Sequence, residues 1–181
     1  DAKRRNVKLE AGEAWFQVAK DPRRPFVVDA GRVRVRAVGT AFAVRLESGG
    51  AQVVVTEGVV EAWVEGAEGH RVRIAAGGKA FVSNDAAIDV AAAEPSAVDR
   101  SLAWRAGKID LDGNRLDFAV GEFNRYNARK LVIADPALAG EEFDGIFRVD
   151  DPEGFAMAVR DSLGVPVDTA HPDGIRIGKA N

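Results

Sequence analysis

Short apolar runs alternate with polar residues and glycine through the first half of the chain. The runs are Val7–Leu9, Ala14–Val18, Phe26–Val28, Val33–Val35, Phe42–Leu46, Val53–Val55, Val59–Val64, Val72–Ile74 and Ala80–Val82. A period of two predicts strands, and no stretch here has the i, i+3, i+4 apolar spacing of an amphipathic helix. The pattern therefore predicts an all-β domain over residues 1–93, arranged as a β-sandwich or as a β-solenoid.

The pattern changes after an alanine-rich segment, residues 94–103, which has no strand pattern and is predicted to be a linker. Two apolar helical stripes follow, formed by Leu116, Val120 and Phe123 and by Phe155, Val159 and Leu163. Strands are predicted at Ile109–Leu111, Leu131–Ile133, Phe143–Val149, Val165–Val167 and Ile175–Ile177. The order β-α-β-β-α-β-β predicts a small α+β domain over residues 104–181.

The composition of the chain argues against several classes of protein and of binding site. Hydrophobic residues make up 46% of the chain and charged residues 29%, so we expect it to fold rather than to be disordered. The net charge of −3 argues against nucleic-acid binding, and the lack of cysteine excludes disulfides and thiolate metal sites. Apolar runs fall far short of the roughly 20 residues that span a bilayer. Because the chain begins at Asp1, we expect a piece of a longer or processed protein.

Few residues form a pattern typical of catalysis, so we predict no enzyme of a classical kind, no cofactor and no metal. His70 and His171 have no second histidine at ligand spacing and are expected to be exposed or to cap turns. The segment Asp110–Asn114 is similar to the start of a calcium loop, but its glycine comes too early and the twelfth position lacks a glutamate. A turn is the favoured interpretation.

Two residue types have patterns that suggest binding. Arg32, Arg34 and Arg36 alternate with apolar residues and should share one strand face, either solvated or facing an anionic partner. Exposed tryptophans would favour a carbohydrate-binding surface. Of the three available, Trp15 and Trp63 lie in strand patterns, where core packing is expected, and Trp104 lies near the linker.

The Gly39-Thr40 bond is the one peptide with a conceivable covalent role. If the fold strained this peptide, the Thr40 hydroxyl could attack the Gly39 carbonyl and form an ester that water cleaves. The residues alone favour an ordinary turn at the entry to a strand.

Several segments together resemble a known family. They are Leu9–Ala19, Arg24–Val28, Val35–Val44, Val53–Val60 and Ala76–Gly78, with Trp104–Ile109 and Asn124–Asn127 further on. The chain resembles the periplasmic part of FecR-type transmembrane regulators of sigma factors. Its last portion is similar to the small secretin and TonB N-terminal (STN) domain. The resemblance implies a region of a single-pass inner-membrane protein of bacteria, one that holds a sigma factor through a cytoplasmic part not included here.

The resemblance also implies partners and a cleavage site. The partner in this family is the signalling domain of an outer-membrane TonB-dependent receptor, usually a siderophore importer, and several members are cut at a glycine-threonine bond that matches Gly39-Thr40. We expect a partner strand to pair with Phe143–Val149 or Ile175–Ile177. The alternative hypothesis is a carbohydrate- or envelope-binding β-domain with an appended interaction module.

Overall fold

The valine-rich runs of the first half form two five-stranded sheets. In the computed structural model, which describes residues 5–92 and 94–179, the chain divides into a first unit up to Asp99 and a second unit from Arg100. One sheet has the order β1 (Arg5–Leu9), β3 (Phe26–Ala30), β4 (Val33–Ala37), β7 (Val59–Val64), β8 (Val72–Ala75). The other has the order β10 (Ile88–Ala92), β9 (Gly78–Ser83), β6 (Gly50–Glu57), β5 (Ala41–Glu47), β2 (Glu13–Gln17). Neighbouring strands are antiparallel, except β1 and β3, which are parallel.

The inward faces of both sheets share one core, so the first unit is a β-sandwich. In β4, Val33 and Val35 are fully buried while the intervening Arg34 is not, as a period of two requires. Phe42 and Val53, from the other sheet, belong to the same cluster. All nine predicted strands are present. Strand β10 was not predicted, because its alternation is limited to Ile88, Asp89 and Val90 before an alanine-rich segment, and four of its five residues are exposed.

The chain passes between the two sheets at neighbouring points. It crosses from β4 to β5 through residues 38–40, from β6 to β7 at Gly58, and from β8 to β9 at Ala76 and Gly77. Backbone hydrogen bonds join these crossovers: Ala76 N donates to Gly58 O and Gly77 N donates to Val55 O, each over 2.9 Å. The Gly39-Thr40 bond therefore lies at a corner of the sandwich where several backbone segments meet.

The second unit has the predicted order β-α-β-β-α-β-β. Its elements are β11 (Lys108–Arg115), α2 (Leu116–Tyr126), β12 (Leu131–Ile133), β13 (Glu142–Arg148), α3 (Pro152–Leu163), β14 (Val167–Asp168) and β15 (Ile175–Ile177). Strands β11 and β13 form one sheet, and β12, β15 and β14 form another in that order. Helix α3 begins and ends as its sequence predicts: the Asp151 side chain accepts a hydrogen bond from Gly154 N, and Gly164 ends the helix in the left-handed conformation.

A short helix, α1 (Pro95–Ser101), occupies most of the segment predicted as a linker, and a 3-10 helix (Ala103–Ala106) follows it. The division between the two units, at Asp99, falls inside that segment. Among the helices of residues 5–92 and 94–179, none has the length and apolar character needed to cross a bilayer.

Candidate functional site

The Gly39-Thr40 peptide has an unusual backbone and a buried side chain. Gly39 has φ +124°, a value that favours glycine, and Thr40 is buried with 5% of its surface exposed. The Thr40 carbonyl accepts a hydrogen bond from Val18 N over 2.9 Å. The segment is thus held against the chain that follows β2.

Neither Gly39 nor Gly58 has room for a β-carbon. A methyl group added at Gly58, where φ is +77°, would lie 2.7 Å from Thr40 Cγ2 and 3.0 Å from Gly39 O. One added at Gly39 would lie 2.8 Å from Lys20 Cβ. All three distances are shorter than normal van der Waals contacts, so the corner requires glycine at positions 39 and 58.

The Thr40 hydroxyl is buried and forms no hydrogen bond with any described residue. By contrast, the hydroxyl of Thr56, on the facing strand, donates to Ala41 O over 3.1 Å. Leaving a buried hydroxyl without a partner costs about 1–3 kcal/mol, and such groups mark sites where a ligand or a reaction can use them. No signal in the sequence could have shown this, because burial of Thr40 depends on Gly58.

A cavity of about 510 Å³ opens beside this segment, with Gly39 and Thr40 in its lining. Its charged lining consists of Lys20, Arg36, Glu61 and Arg73, and Val38 and Val59 supply apolar surface beside Gly39 and Thr40. Arg36 Nη1 lies 3.4 Å from Glu61 Oε2. Since three cations face one carboxylate, the cavity has a net positive charge.

The arginines predicted to share a strand face do so only in part. Arg34 and Arg36 lie on the outer face of β4, whereas Arg32 precedes the strand and donates to the carbonyl of Asn84 over 3.1 Å. Arg34 contacts Asp29 and Glu65, each over 3.1 Å. Arg34 is therefore neutralised within the chain, whereas Arg32 bonds to a backbone carbonyl.

Trp15 and Trp63 lie on the strand faces opposite the sandwich core. Trp63, 8% exposed, lies on the outer face of β7 with the Arg71 guanidinium 4.4 Å from its ring centroid. Its ring belongs to the lining of a second cavity, of about 600 Å³, among Asp29, Arg34 and Arg71. Trp15 is half-buried on the face of β2 opposite the core-packed Phe16. Half-buried Trp104 lies in the 3-10 helix.

In the second unit, the segment Asn124–Asn127 has a structural role. The Asn124 side chain accepts from Leu131 N over 2.7 Å and donates to Leu131 O over 2.9 Å. The Asn127 side chain donates to Phe123 O and Val149 O, over 2.8 and 2.7 Å. These bonds fasten the end of α2 to β12 and to the residue after β13, which explains why asparagines suit this position.

The two strands predicted to accept a partner strand differ. Strand β15 lies between β12 and β14, so both its edges are paired and the expectation for Ile175–Ile177 is wrong. Local alternation could not reveal this, because it carries no information on the order of strands in a sheet. Strand β13 pairs with β11 on one side and with no other described strand. Its Ile146 is 63% exposed.

The remaining candidates have local roles. His171 Nδ1 accepts a hydrogen bond from Asp173 N over 3.2 Å, and His70 is exposed in a turn. The segment Asp110–Asn114 is part of strand β11, not the expected turn, with a bulge between Leu111 and Asn114. At this bulge, Gly113 N of β11 donates a hydrogen bond to the carboxylate of Asp144 on the neighbouring strand β13, over 2.6 Å. No group of three or more potential metal ligands occurs within the described ranges.

Comparison with known proteins places part of this architecture in a family. Residues 1–61 match the family model described as FecR protein. Two crystal structures of an anti-sigma factor candidate from Parabacteroides distasonis ATCC 8503, at 1.65 and 2.50 Å, share the fold with TM-scores of 0.76 and 0.75. Each is 21% identical in sequence, and each alignment covers 99% of this chain and 82% of the crystal chain. No curated protein matches the chain. The family match identifies residues 1–61 as a FecR-family region.

Proposed function

We propose that this chain is the signal-receiving region of a transmembrane anti-sigma factor. The region would lie in the bacterial periplasm, bind the signalling domain of an outer-membrane TonB-dependent siderophore receptor, and control an extracytoplasmic-function sigma factor. The FecR-family region at residues 1–61 supports this, as does the fold shared with an anti-sigma factor candidate. The inner-membrane helix and the cytoplasmic part that contacts the sigma factor would belong to chain outside these residues.

The open edge of β13 is the observation that carries the receptor contact. Along this strand Phe143 is buried while Asp144, Ile146 and Arg148 point away from the core. An exposed edge with a large apolar side chain accepts an added strand through main-chain hydrogen bonds, and alternate side chains select the sequence. An extended segment of the receptor's signalling domain would pair there.

Calorimetric titration of the chain with that signalling domain tests the proposal. We expect saturable one-to-one binding that Ile146→Arg weakens about tenfold or more, since a buried apolar contact of 1.5–3 kcal/mol is lost. Val132→Arg is the matched control, because Val132 is also an exposed apolar strand residue of the second unit, 37% exposed. Hydrogen exchange would show protection of β13 amides on binding.

The failures of this experiment are informative. Equal affinity of the Ile146→Arg and Val132→Arg variants would move the contact away from β13 while leaving the receptor role intact. Absence of binding to several receptor signalling domains, with the chain folded, would overturn the receptor role and favour the carbohydrate- or envelope-binding alternative.

A second activity, self-cleavage at Gly39-Thr40, is proposed on the strength of the unpartnered hydroxyl. Thr40 Oγ1 would attack the Gly39 carbonyl carbon, the bond from that carbon to Thr40 N would break, and the hydroxyl proton would pass to the released amine. Water would then hydrolyse the ester, leaving a carboxylate on Gly39 and restoring the Thr40 hydroxyl. The φ of +124° at Gly39 and the lack of room for a β-carbon at Gly39 and Gly58 support a peptide held in one conformation by its surroundings.

Intact-mass analysis of the purified chain tests this step. We expect two fragments, residues 1–39 and 40–181, whose masses sum to the mass of the chain plus one water. Thr40→Ala should abolish cleavage and Thr40→Ser should retain it, because serine keeps the nucleophile. Hydroxylamine should accelerate cleavage of the wild-type chain by trapping the ester. Fragments of the same mass from Thr40→Ala would assign the cut to a contaminating protease.

A further inference from the structure

We propose that the cavity beside Thr40 binds a carboxylate side chain from an acidic peptide segment of a partner protein. This site lies in the first unit and is separate from the receptor contact proposed on β13. It also differs from self-cleavage, which uses the buried Thr40 hydroxyl as a nucleophile and no cation of the cavity.

The charges of the cavity are arranged in a row across three strands. Arg36 of β4 lies opposite Glu61 of β7, which lies opposite Arg73 of β8. Glu61 Oε2 is 3.4 Å from Arg36 and 3.9 Å from Arg71 outside the cavity, so its charge is already shared between two arginines. Arg73 and Lys20 have no ion pair with any residue of the described ranges. Two uncompensated cations therefore face the same space.

The free cations supply the hydrogen-bond donors for such a ligand. A carboxylate has two oxygens that can accept from cations such as Lys20 and Arg73, and charge-assisted bonds of this kind are about twice as strong as neutral ones.

The size and apolar surface favour a side chain on a peptide over a free ion. A volume of about 510 Å³ exceeds the space that one small anion fills. Val38 and the 37% exposed Val59 can pack against the methylene groups of a glutamate, which inorganic phosphate lacks.

Titration with two blocked peptides, followed by NMR of the backbone amides, tests the site. One peptide contains two glutamates between glycines, the other contains glutamines at the same positions, and the cleavage state of the chain is fixed by intact mass beforehand. We expect the glutamate peptide to shift the amides of Lys20, Thr40 and Arg73, to bind about tenfold or more tightly than its glutamine twin, and to weaken with salt. Equal binding of the two peptides would overturn the proposal, as would inorganic phosphate that binds as tightly.

A charge-matched pair of variants locates the site. Lys20→Gln with Arg73→Gln should weaken the glutamate peptide about tenfold or more, because both free cations are removed. Arg23→Gln with Lys108→Gln removes the same charge from exposed positions outside the cavity and should leave affinity unchanged. Equal losses in the two double variants would mean non-specific attraction and would overturn the site. Ile146→Arg should not change peptide binding, so failure here and failure of the receptor contact are distinguishable.

Discussion

The two units of this chain bury their apolar surface with different side chains. The sandwich core is built mainly from valine and alanine beside the fully buried ring of Phe42, with Val28, Val35 and Val44 among its other fully buried members. The core of the second unit centres on phenylalanines: the rings of Phe123 and Phe155 stack at 4.4 Å between centroids, and Phe147 meets Phe155 edge-on at 5.1 Å. Stability is therefore spread over many small contributions in the sandwich and concentrated on a few large rings in the second unit.

The two candidate sites, the sandwich corner at Thr40 and the edge of β13, also differ in how closely they are packed. At the sandwich corner there is no room for a β-carbon at Gly58, because it would lie 2.7 Å from Thr40 Cγ2. On β13 the proposed contact uses an open edge and the exposed Ile146. We expect the corner to be sensitive to added atoms and the edge to tolerate changes that leave the strand in place.

The largest expected effect is in the phenylalanine core. Phe155→Ala should lower the free energy of unfolding by about 3–5 kcal/mol, because it removes a fully buried ring and leaves a cavity. Val35→Ala, at a fully buried site of the sandwich, should cost less, since it deletes only two methyl groups. Urea denaturation gives both values, and hydrogen exchange assigns the loss to a unit. Equal costs would contradict the contrast between concentrated and distributed cores.

Gly58→Ala should have the next largest effect and lower the free energy of unfolding by about 2–4 kcal/mol, because it combines a positive φ with overpacking. Its added methyl group would lie 2.7 Å from Thr40 Cγ2. Gly66→Ala is the matched control: Gly66 has φ +86° with nothing within 4 Å of the added carbon, so it reports backbone strain alone. Thermal unfolding measures the difference. If both variants lost the same stability, crowding at the corner would have no energetic weight.

The secondary-structure elements were largely predictable from the sequence, whereas the pairing of strands within each sheet was not. Alternating valines specified the strands of the sandwich, and the Asp151 and Gly164 caps specified the ends of α3, because these signals act between near neighbours. The central position of β15 and the existence of β10 depend on which strands pair, and no periodicity encodes that.

The candidate site was predictable only in part. The family resemblance singled out Gly39 and Thr40. The surroundings of this segment were not predictable. Gly58 lies against Thr40, and Lys20 and Arg73 supply positive charge to the cavity, but the three residues come from separate segments of the chain. Their convergence results from the successive crossovers between the sheets, which only the fold reveals.

Asn124→Ala should destabilise the second unit by about 1–3 kcal/mol. The variant loses two partly buried hydrogen bonds, and the backbone N–H and C=O of Leu131 lose these partners. The loss of hydrogen-exchange protection should be confined to residues 100–179. Asn84→Ala in the sandwich is the control, since only the backbone of Asn84 has recorded hydrogen bonds. A loss equal to that of the control would mean that the asparagine is not a fastener of α2 and that this segment has another role.

The smallest expected effect is on the acid side of the stability profile. Hydrogen bonds from the Arg115 side chain hold the pKa of Asp117 below its usual value of 3.8, and those from Arg148 do the same for Asp150. A carboxyl group whose pKa is lower in the folded state stabilises the fold above the unfolded pKa, and that contribution disappears as the pH falls below 3.8 through the folded value. Both carboxylates are exposed, so water and salt screen the effect.

Asp117→Asn combined with Asp150→Asn should therefore flatten the fall in stability of the second unit below pH 4 relative to wild type, and raised ionic strength should reduce the difference. Urea denaturation followed at several pH values measures it. Asp21 and Asp85 of the sandwich also have lowered pKa values, through bonds from Arg24 and Ser83, so a matched double variant, Asp21→Asn with Asp85→Asn, should flatten the profile of the first unit only. If either double variant altered the acid profile of both units, the two cores would not unfold separately in acid. The units would then differ in how they are packed but would unfold together.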